Sequence, residues 1–266
     1  MEHQLKIIFL FFASILTFGE ASHSRLPRMI NADFAKRGQF PSAVLFQGKT
    51  WWKQNTCGAV VIDKNYVLTA AHCVTSLKPK DITLYFDILN RSEMKKATKR
   101  SVTNIKVHEK YDPKYKSIQG NDLALLKLNK PLSFHNKKIQ PAVLADPKVD
   151  YTDKWSELAG WGHTEYKTLS EELRFFRSQI LDDQDCKDIL IDSTHDLTPD
   201  KILCLWVDEN AFPTPSAYKG DSGGPVYLNG TNTLVGIISF VYRHDTKPTF
   251  NVRIANYIDW IKKNMK

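Results

Sequence analysis

Gly220-Asp221-Ser222-Gly223-Gly224-Pro225 lies towards the end of a chain of 266 residues. A serine attacks a carbonyl only if one group takes its proton and another stabilises the oxyanion that forms. Glycines on both sides of Ser222 let the backbone turn tightly and bring amide N–H groups up to a substrate. Ser222 is therefore a candidate nucleophile, and the amides of Gly220 and Ser222 are candidate oxyanion donors. Alone, a serine among glycines is as well explained by an ordinary turn. Two further segments give it weight. Leu68-Thr69-Ala70-Ala71-His72-Cys73 supplies a histidine, and Asn121-Asp122-Leu123-Ala124-Leu125-Leu126 supplies an aspartate.

These segments, in the order His72, Asp122, Ser222, resemble the chymotrypsin family of serine proteases. Leu158-Ala159-Gly160-Trp161-Gly162 and Asn256-Tyr257-Ile258-Asp259-Trp260-Ile261 also look like that family. The resemblance runs from about Met29 to about Asn264. It implies that His72 is the general base, with a side chain that titrates near neutrality and can pass the serine proton to the leaving amine. It implies that Asp122 orients the imidazole and stabilises the imidazolium. Ser239 matches a serine that contacts this aspartate and precedes the strand edge that binds substrate. The competing readings are structural: a buried histidine satisfied by backbone, a turn aspartate before the apolar run Leu123–Leu126, and a strand hydroxyl.

The first residues differ in character from the rest. Lys6 precedes an apolar run from Ile7 to Phe18, and the small residues Gly19 and Ala21 suit a signal peptidase. Such a run is too short to span a bilayer, so residues 1–21 are expected to be a secretory signal rather than a retained anchor. Secretion makes the four cysteines readable as disulfides, for which sequence alone allows three pairings. The family resemblance selects Cys57–Cys73 and Cys186–Cys204. A zinc site is disfavoured by the wide cysteine spacings, and His72 is better explained by catalysis. No metal or other cofactor is expected, and Asp87 and Glu93, where the family has a calcium loop, stand among lysines. The net charge of +8 would suit acidic partners, but the Lys/Arg residues are scattered apart from Lys95-Lys96 and Lys99-Arg100. No aromatic-interleaved basic face stands out, so nucleic acid is not an expected partner. Asn90-Arg91-Ser92 and Asn229-Gly230-Thr231 are glycosylation sequons that secretion would make usable.

With 42% hydrophobic and 25% charged residues the composition is that of a globular protein, enough for one large or two-lobed domain. Short β-rich runs recur between turn residues, among them Ala59–Ile62, Ile82–Phe86, Val102–Val107, Leu123–Leu128 and Leu234–Phe240. That spacing indicates an all-β sandwich or barrel, and periodicity does not distinguish the two. The resemblance implies two six-stranded antiparallel β-barrels with the active site between them, about 29–140 and 141–266. At the end the period changes: Ile254, Tyr257, Ile258 and Ile261 mark one face of a C-terminal α-helix.

Arg28-Met29-Ile30-Asn31-Ala32 resembles a zymogen activation site, which makes residues 22–28 a propeptide and 29–266 the protease domain. Cleavage after Arg28 would free an amine on Met29, which in the family inserts beside the aspartate before the serine, here Asp221. Met29 and Ala32 depart from the usual Ile or Val and Gly; Arg28 is otherwise part of an exposed leader. The primary pocket also departs. Ser216 stands six residues before Ser222, where a trypsin-like enzyme carries Asp. Val241 and Thr249 replace wall glycines, an elastase-like narrowing. The family's third disulfide is missing, with Tyr218 at one of its positions and no cysteine in Tyr242–Lys247. The chain is thus expected to be a monomeric, secreted, extracellular serine endopeptidase made as a zymogen. It would cut after small or apolar residues through an acyl-enzyme. Its partners would be protein or peptide substrates, a trypsin-like activating protease and serine protease inhibitors, with no membrane span. A non-catalytic homologue acting as a binding or regulatory protein is the competing class, and a basic glycan-binding module rests on charge alone.

Overall fold

A computed structural model describes residues 32–52, 54–115, 120–164, 166–190, 199–207, 215–241 and 249–266. The expected leader, Arg28 and Met29 lie outside the described residues, as do Tyr242–Lys247.

The apolar runs read from sequence become strands. Ile82–Phe86 is a strand end to end, with Ile82, Leu84 and Phe86 buried and Thr83 and Tyr85 half-buried between them. This period-two alternation is what packs one face of a strand against a core. Six strands close the first barrel: β2 (Ala43–Lys49), β3 (Gln54–Asp63), β4 (Tyr66–Thr69), β5 (Ile82–Phe86), β6 (Thr98–Val107) and β7 (Ala124–Leu128). They pair antiparallel in the closed order β2-β3-β4-β7-β6-β5.

The second barrel is built from β9 (Trp155–Gly160), β10 (Arg174–Ile180), β11 (Ile202–Trp206), β12 (Pro225–Leu228), β13 (Thr233–Val241) and β14 (Thr249–Arg253). Its antiparallel order is β10-β11-β14-β13-β12-β9, and pairing of β9 with β10 closes it. Two short strands are added: β1 (Asp33–Phe34) along β10, and β8 (Val143–Leu144) parallel to β13. Closure leaves neither barrel with a free edge in its six-stranded ring. The fold is therefore all-β with two six-stranded barrels.

The expected terminal helix is present in two parts. A 3-10 turn, Ile254–Tyr257, leads into α2 (Ile258–Asn264). Ile254, Tyr257, Ile258 and Ile261 are all buried, so the apolar face survives the change of winding. The other helix, α1 (Asp183–Leu190), is tied by the Cys186–Cys204 disulfide to β11. Both termini of the described chain cross over. β1 pairs with a strand of the second barrel, while Tyr66 Oη of the first donates to the carbonyl of Lys266 after α2. Among the described residues no helix is long and apolar enough to cross a membrane.

The barrels meet backbone to backbone at Gly58 of β3. Its N–H donates to the Ser222 carbonyl at 2.8 Å, and its carbonyl accepts from Thr69 Oγ1 at 2.8 Å. A Cβ on Gly58 would lie 2.5 Å from the Gly224 Cα. Only backbone fits on backbone there, so Gly58→Ala is expected to push the Ser222 segment off the first barrel. The cost is expected to be about 1–3 kcal/mol, the range for overpacking a tight contact. A fall in the urea midpoint checks this.

Candidate active site

The 3-10 turn Ala71–Cys73, which follows β4, carries His72, and the Cys57–Cys73 disulfide fastens it to β3. Each of the two disulfides closes a short loop, worth roughly 3 kcal/mol in the chain-entropy account. Asp122 stands just before β7 and is fully buried. An isolated carboxylate there would be costly, and it is met by three hydrogen bonds. His72 donates its backbone N–H to Oδ1 at 2.9 Å and faces Oδ2 through Nδ1 at 2.7 Å. Ser239 Oγ donates to Oδ2 at 2.6 Å. Ser239, grouped with the substrate pocket in the sequence reading, thus spends its hydroxyl on Asp122.

The electrostatics follow from this geometry. Burial pulls the His72 pKa down, but the Asp122 charge and the hydrogen bond to it outweigh burial, so the net shift is upward. For Asp122 burial alone would raise the pKa; the charge and hydrogen bonds of His72, with that of Ser239, bring it below the usual carboxylate value. The Nδ1 contact leaves Nε2 of His72 without a hydrogen bond among the described residues, and the side chain is 33% exposed. A base with one nitrogen fixed and the other open is suited to accept a proton from outside.

Ser222 is brought alongside from the second barrel. Its carbonyl accepts the Gly58 N–H and lies 3.5 Å from Cys73 Sγ, next in sequence to His72. Gly223 and Gly224 exchange two hydrogen bonds with Ile238 of β13, at 2.7 and 2.9 Å. The register shift at Ile238/Phe240 sets Ser239 at a bulge beside this segment. The Ser222 hydroxyl and the amides of Gly220 and Ser222 have no hydrogen-bond partner among the described residues. All three are available to a ligand.

Of the expected pocket residues, Ser216 is buried with its hydroxyl on the Ala217 carbonyl at 3.0 Å. Thr249 is buried and is the cross-strand partner of Val241; the Val241 side chain lies outside the described part. Asn251, two residues along β14, was not singled out by sequence. Its Nδ2 donates to the carbonyls of Leu203 and Thr249 and lies 3.4 Å from Thr249 Oγ1, which adds a buried amide beside the expected wall. Of the sequons, Asn229 is exposed in a turn, whereas Asn90 caps the turn Arg91–Lys95 and accepts the Ser92 N–H at 2.8 Å. The described His, Cys and carboxylate atoms that converge as a possible metal set belong to Cys57, His72 and Cys73. The two sulfurs are bonded to each other, so no thiolate is offered. Asp87 and Glu93 are both paired with Arg37, which already supplies a positive charge to that loop.

Asp221 has a different environment from Asp122. It is fully buried and accepts N–H groups from Gly162 at 2.7 Å and Tyr218 at 2.9 Å, with no cation paired to it among the described residues. Burial raises its pKa to about 7, against the two hydrogen bonds. A raised carboxyl pKa means that the folded state holds the proton and the unfolded state releases it. Stability from this group is therefore present below pH 4 and lost as pH rises to 7, by on the order of 4 kcal/mol. In protein not cut after Arg28, Asp221→Asn is expected to flatten that decline, as read from urea midpoints between pH 4 and pH 8.

The sequence profile of the family described as Trypsin matches residues 29–261. The serine protease filzig of Drosophila melanogaster is 28% identical over 92% of this chain, which spans 15% of that protein. Coagulation factor IX of Cavia porcellus is 28% identical over 88% of this chain and 80% of its own sequence. Coagulation factor XI of Bos taurus is 28% identical over 88% of this chain and 37% of its own. Among solved structures, HL collagenase superposes with a TM-score of 0.74 at 26% identity, over 88% of this chain and 97% of that one. The scabies mite inactivated protease paralogue S-D1 gives 0.74 at 24% identity, over 88% and 96%, a likeness of fold alone. The chain belongs to the trypsin family of serine proteases, with the two-barrel fold of chymotrypsin.

Proposed function

We propose that this chain is a secreted serine endopeptidase that works through Ser222, His72 and Asp122. The observation that carries the reading is the buried Asp122 carboxylate, aimed at His72 Nδ1 and leaving Nε2 without a hydrogen bond among the described residues, while the Ser222 backbone lies against Cys73, the residue after His72. His72 takes the Ser222 proton as the hydroxyl attacks a peptide carbonyl. The Gly220 and Ser222 amides receive the oxyanion, and the imidazolium returns its proton to the leaving amine. Asp122 stays ionised and holds the tautomer. The acyl-enzyme is then released by water in the reverse sense. Ser222→Ala is expected to fold and to lose several orders of magnitude in turnover, with loss of fluorophosphonate labelling. Wild-type protein that neither labels nor cleaves after trypsin treatment would instead favour a binding or regulatory homologue.

The activation reading follows from Asp221. A buried carboxylate with hydrogen bonds but no counter-charge is one that a cation stabilises. We take the Met29 amine, freed by cleavage after Arg28, as that cation. This makes the protein a zymogen switched by a separate trypsin-like protease and open to serine protease inhibitors once active. Asn229 is the sequon we favour for glycan attachment, on its exposure.

The specificity reading rests on what the expected pocket residues offer. Of these, Ser216 and Thr249 carry hydroxyls, Asn251 beside them adds an amide, and no carboxylate among the three pairs an Arg or Lys side chain. An unpaired buried charge is costly, whereas one methylene more or less changes discrimination by only ~1–3 kcal/mol. We therefore expect cleavage after small or apolar residues, with a graded preference for size and a sharp one against charge. A panel of peptides varying only the residue before the cut checks it. Faster cleavage after Arg or Lys than after Ala, Val or Leu would overturn the pocket reading and leave the peptidase reading standing.

A further inference from the structure

Asn121, one residue before Asp122, has a backbone φ of 61°, in the left-handed region that a non-glycine residue adopts at a cost. Such a conformation persists where its surroundings over-determine it. Asn121 Nδ2 donates to the Lys110 carbonyl at 3.5 Å, and a further determinant comes from the far end of the chain. The Tyr257 hydroxyl accepts the Asn121 backbone N–H at 2.9 Å and donates to Asn121 Oδ1 at 3.2 Å. One oxygen thus grips both the main chain and the side chain of a single residue. The Asn121 carbonyl in turn accepts the Leu123 N–H at 2.7 Å, so the peptides on both sides of Asp122 are fixed.

Tyr257 is itself held firmly. It is 3% exposed at the entry to α2, and its ring meets the His108 ring edge-on at 5.2 Å. The His108 N–H donates to the Leu123 carbonyl at 3.0 Å, and Trp260 packs against the same imidazole at 5.0 Å. Burial holds the His108 pKa down, which favours the neutral ring.

We propose that Tyr257 is a positioning residue: through Asn121, its hydroxyl fixes the backbone that aims the Asp122 carboxylate at His72. The proposal rests on the reading of His72, Asp122 and Ser222 as catalytic, and Tyr257 touches neither substrate nor the reacting atoms. Asp122 is then restrained twice. Ser239 holds its Oδ2 from β13, and Tyr257, in the 3-10 turn before α2, holds the backbone of the preceding residue, Asn121. Without the Tyr257 hydroxyl, two buried polar groups of Asn121 lose a partner, and the left-handed turn can relax.

The effect is legible in the titration of His72. Asp122 is the charged group that faces His72, the neighbouring Cys57 and Cys73 being locked in a disulfide. Tyr111 lies near Asp122, with a phenol pushed up to about 12 by burial and then by the Asp122 charge, and it stays neutral. Tyr257 is held up to about 12 by burial, with Asp200 and Asp122 adding to it, and stays neutral as well. Since Asp122 raises the His72 pKa, a carboxylate that loses its aim lets that pKa fall.

The test is Tyr257→Phe, which keeps the ring and removes the oxygen, in full-length protein cut after Arg28. We expect kcat to fall about tenfold with KM nearly unchanged, as for a catalytic group displaced by a fraction of an ångström. The acid limb of kcat/KM should move to lower pH, and the His72 imidazole should titrate lower by NMR. A variant with a lowered melting temperature but an unchanged kcat and an unchanged His72 titration would overturn the proposal. Should Tyr257→Phe fail to fold, Asn121→Ala removes the Oδ1 contact instead. It carries the same expectation, and an unmoved His72 titration in it counts equally against. Absence of Ser222-dependent turnover in the wild type would sink the peptidase reading, while the NMR titration would still decide the role of Tyr257.

Discussion

Asp122 is a carboxylate without water around it, and the two barrels are organised so that it can remain charged. Its donors come from separate parts of the fold. His72 reaches it from the turn after β4 in the first barrel, twice, and Ser239 reaches it from β13 in the second. Neither barrel alone satisfies the group. Removing one partner from a buried ion leaves the full desolvation penalty in place. The seam between the barrels is therefore under electrostatic constraint as well as packing. The backbone contact of Gly58 with the Ser222 segment and the Cys57–Cys73 disulfide serve the same registration.

Most of the fold could be read from the sequence because it is written in local period. Ile82–Phe86 alternates, and it became a strand end to end; Leu123–Leu128 became β7 starting one residue later. What periodicity left open, sandwich or barrel, depends on which strands pair over long range, and that was supplied by resemblance. The candidate site was legible to the extent that its residues sit in short motifs. The supports of that site were not. Gly58 reads as a weak point in an apolar strand until Gly224 is found against it. Tyr257 and Asn121 both stand inside motifs noted from sequence, yet their contact joins residues 136 apart in the chain and leaves no local trace. The contact of Ser239 with Asp122 came from resemblance and not from any local pattern, since the bulge in β13 is what turns the hydroxyl towards the carboxylate.

The crossing of the termini extends the same logic. β1 joins the first described residues to the second barrel, and the 3-10 turn before α2 carries Tyr257 back to the turn before β7 of the first. Each barrel is thus held partly by chain that belongs in sequence to the other. Loosening either end weakens the seam in which Asp122 lies.

Two buried aspartates lie to either side of the proposed reaction, and the fold treats them oppositely. Asp122 has a partner that can become a cation, and its pKa is held down. Among the described residues Asp221 has two amide N–H groups and no cation, and burial pushes it up to about 7. The difference follows from the partners, since both carboxylates are removed from water to the same degree. Two neutral donors do not offset complete desolvation, whereas an adjacent imidazole does. Asp221 lies between the Gly220 and Ser222 amides and accepts the Tyr218 N–H, so its charge acts on the segment that would hold an oxyanion. Under the proposed reading, the nucleophile and its base are assembled by a satisfied charge, and the oxyanion donors wait on one that is not yet satisfied. A switch placed at Asp221 can then leave the His72–Asp122 pair intact while the peptide amides beside Ser222 change.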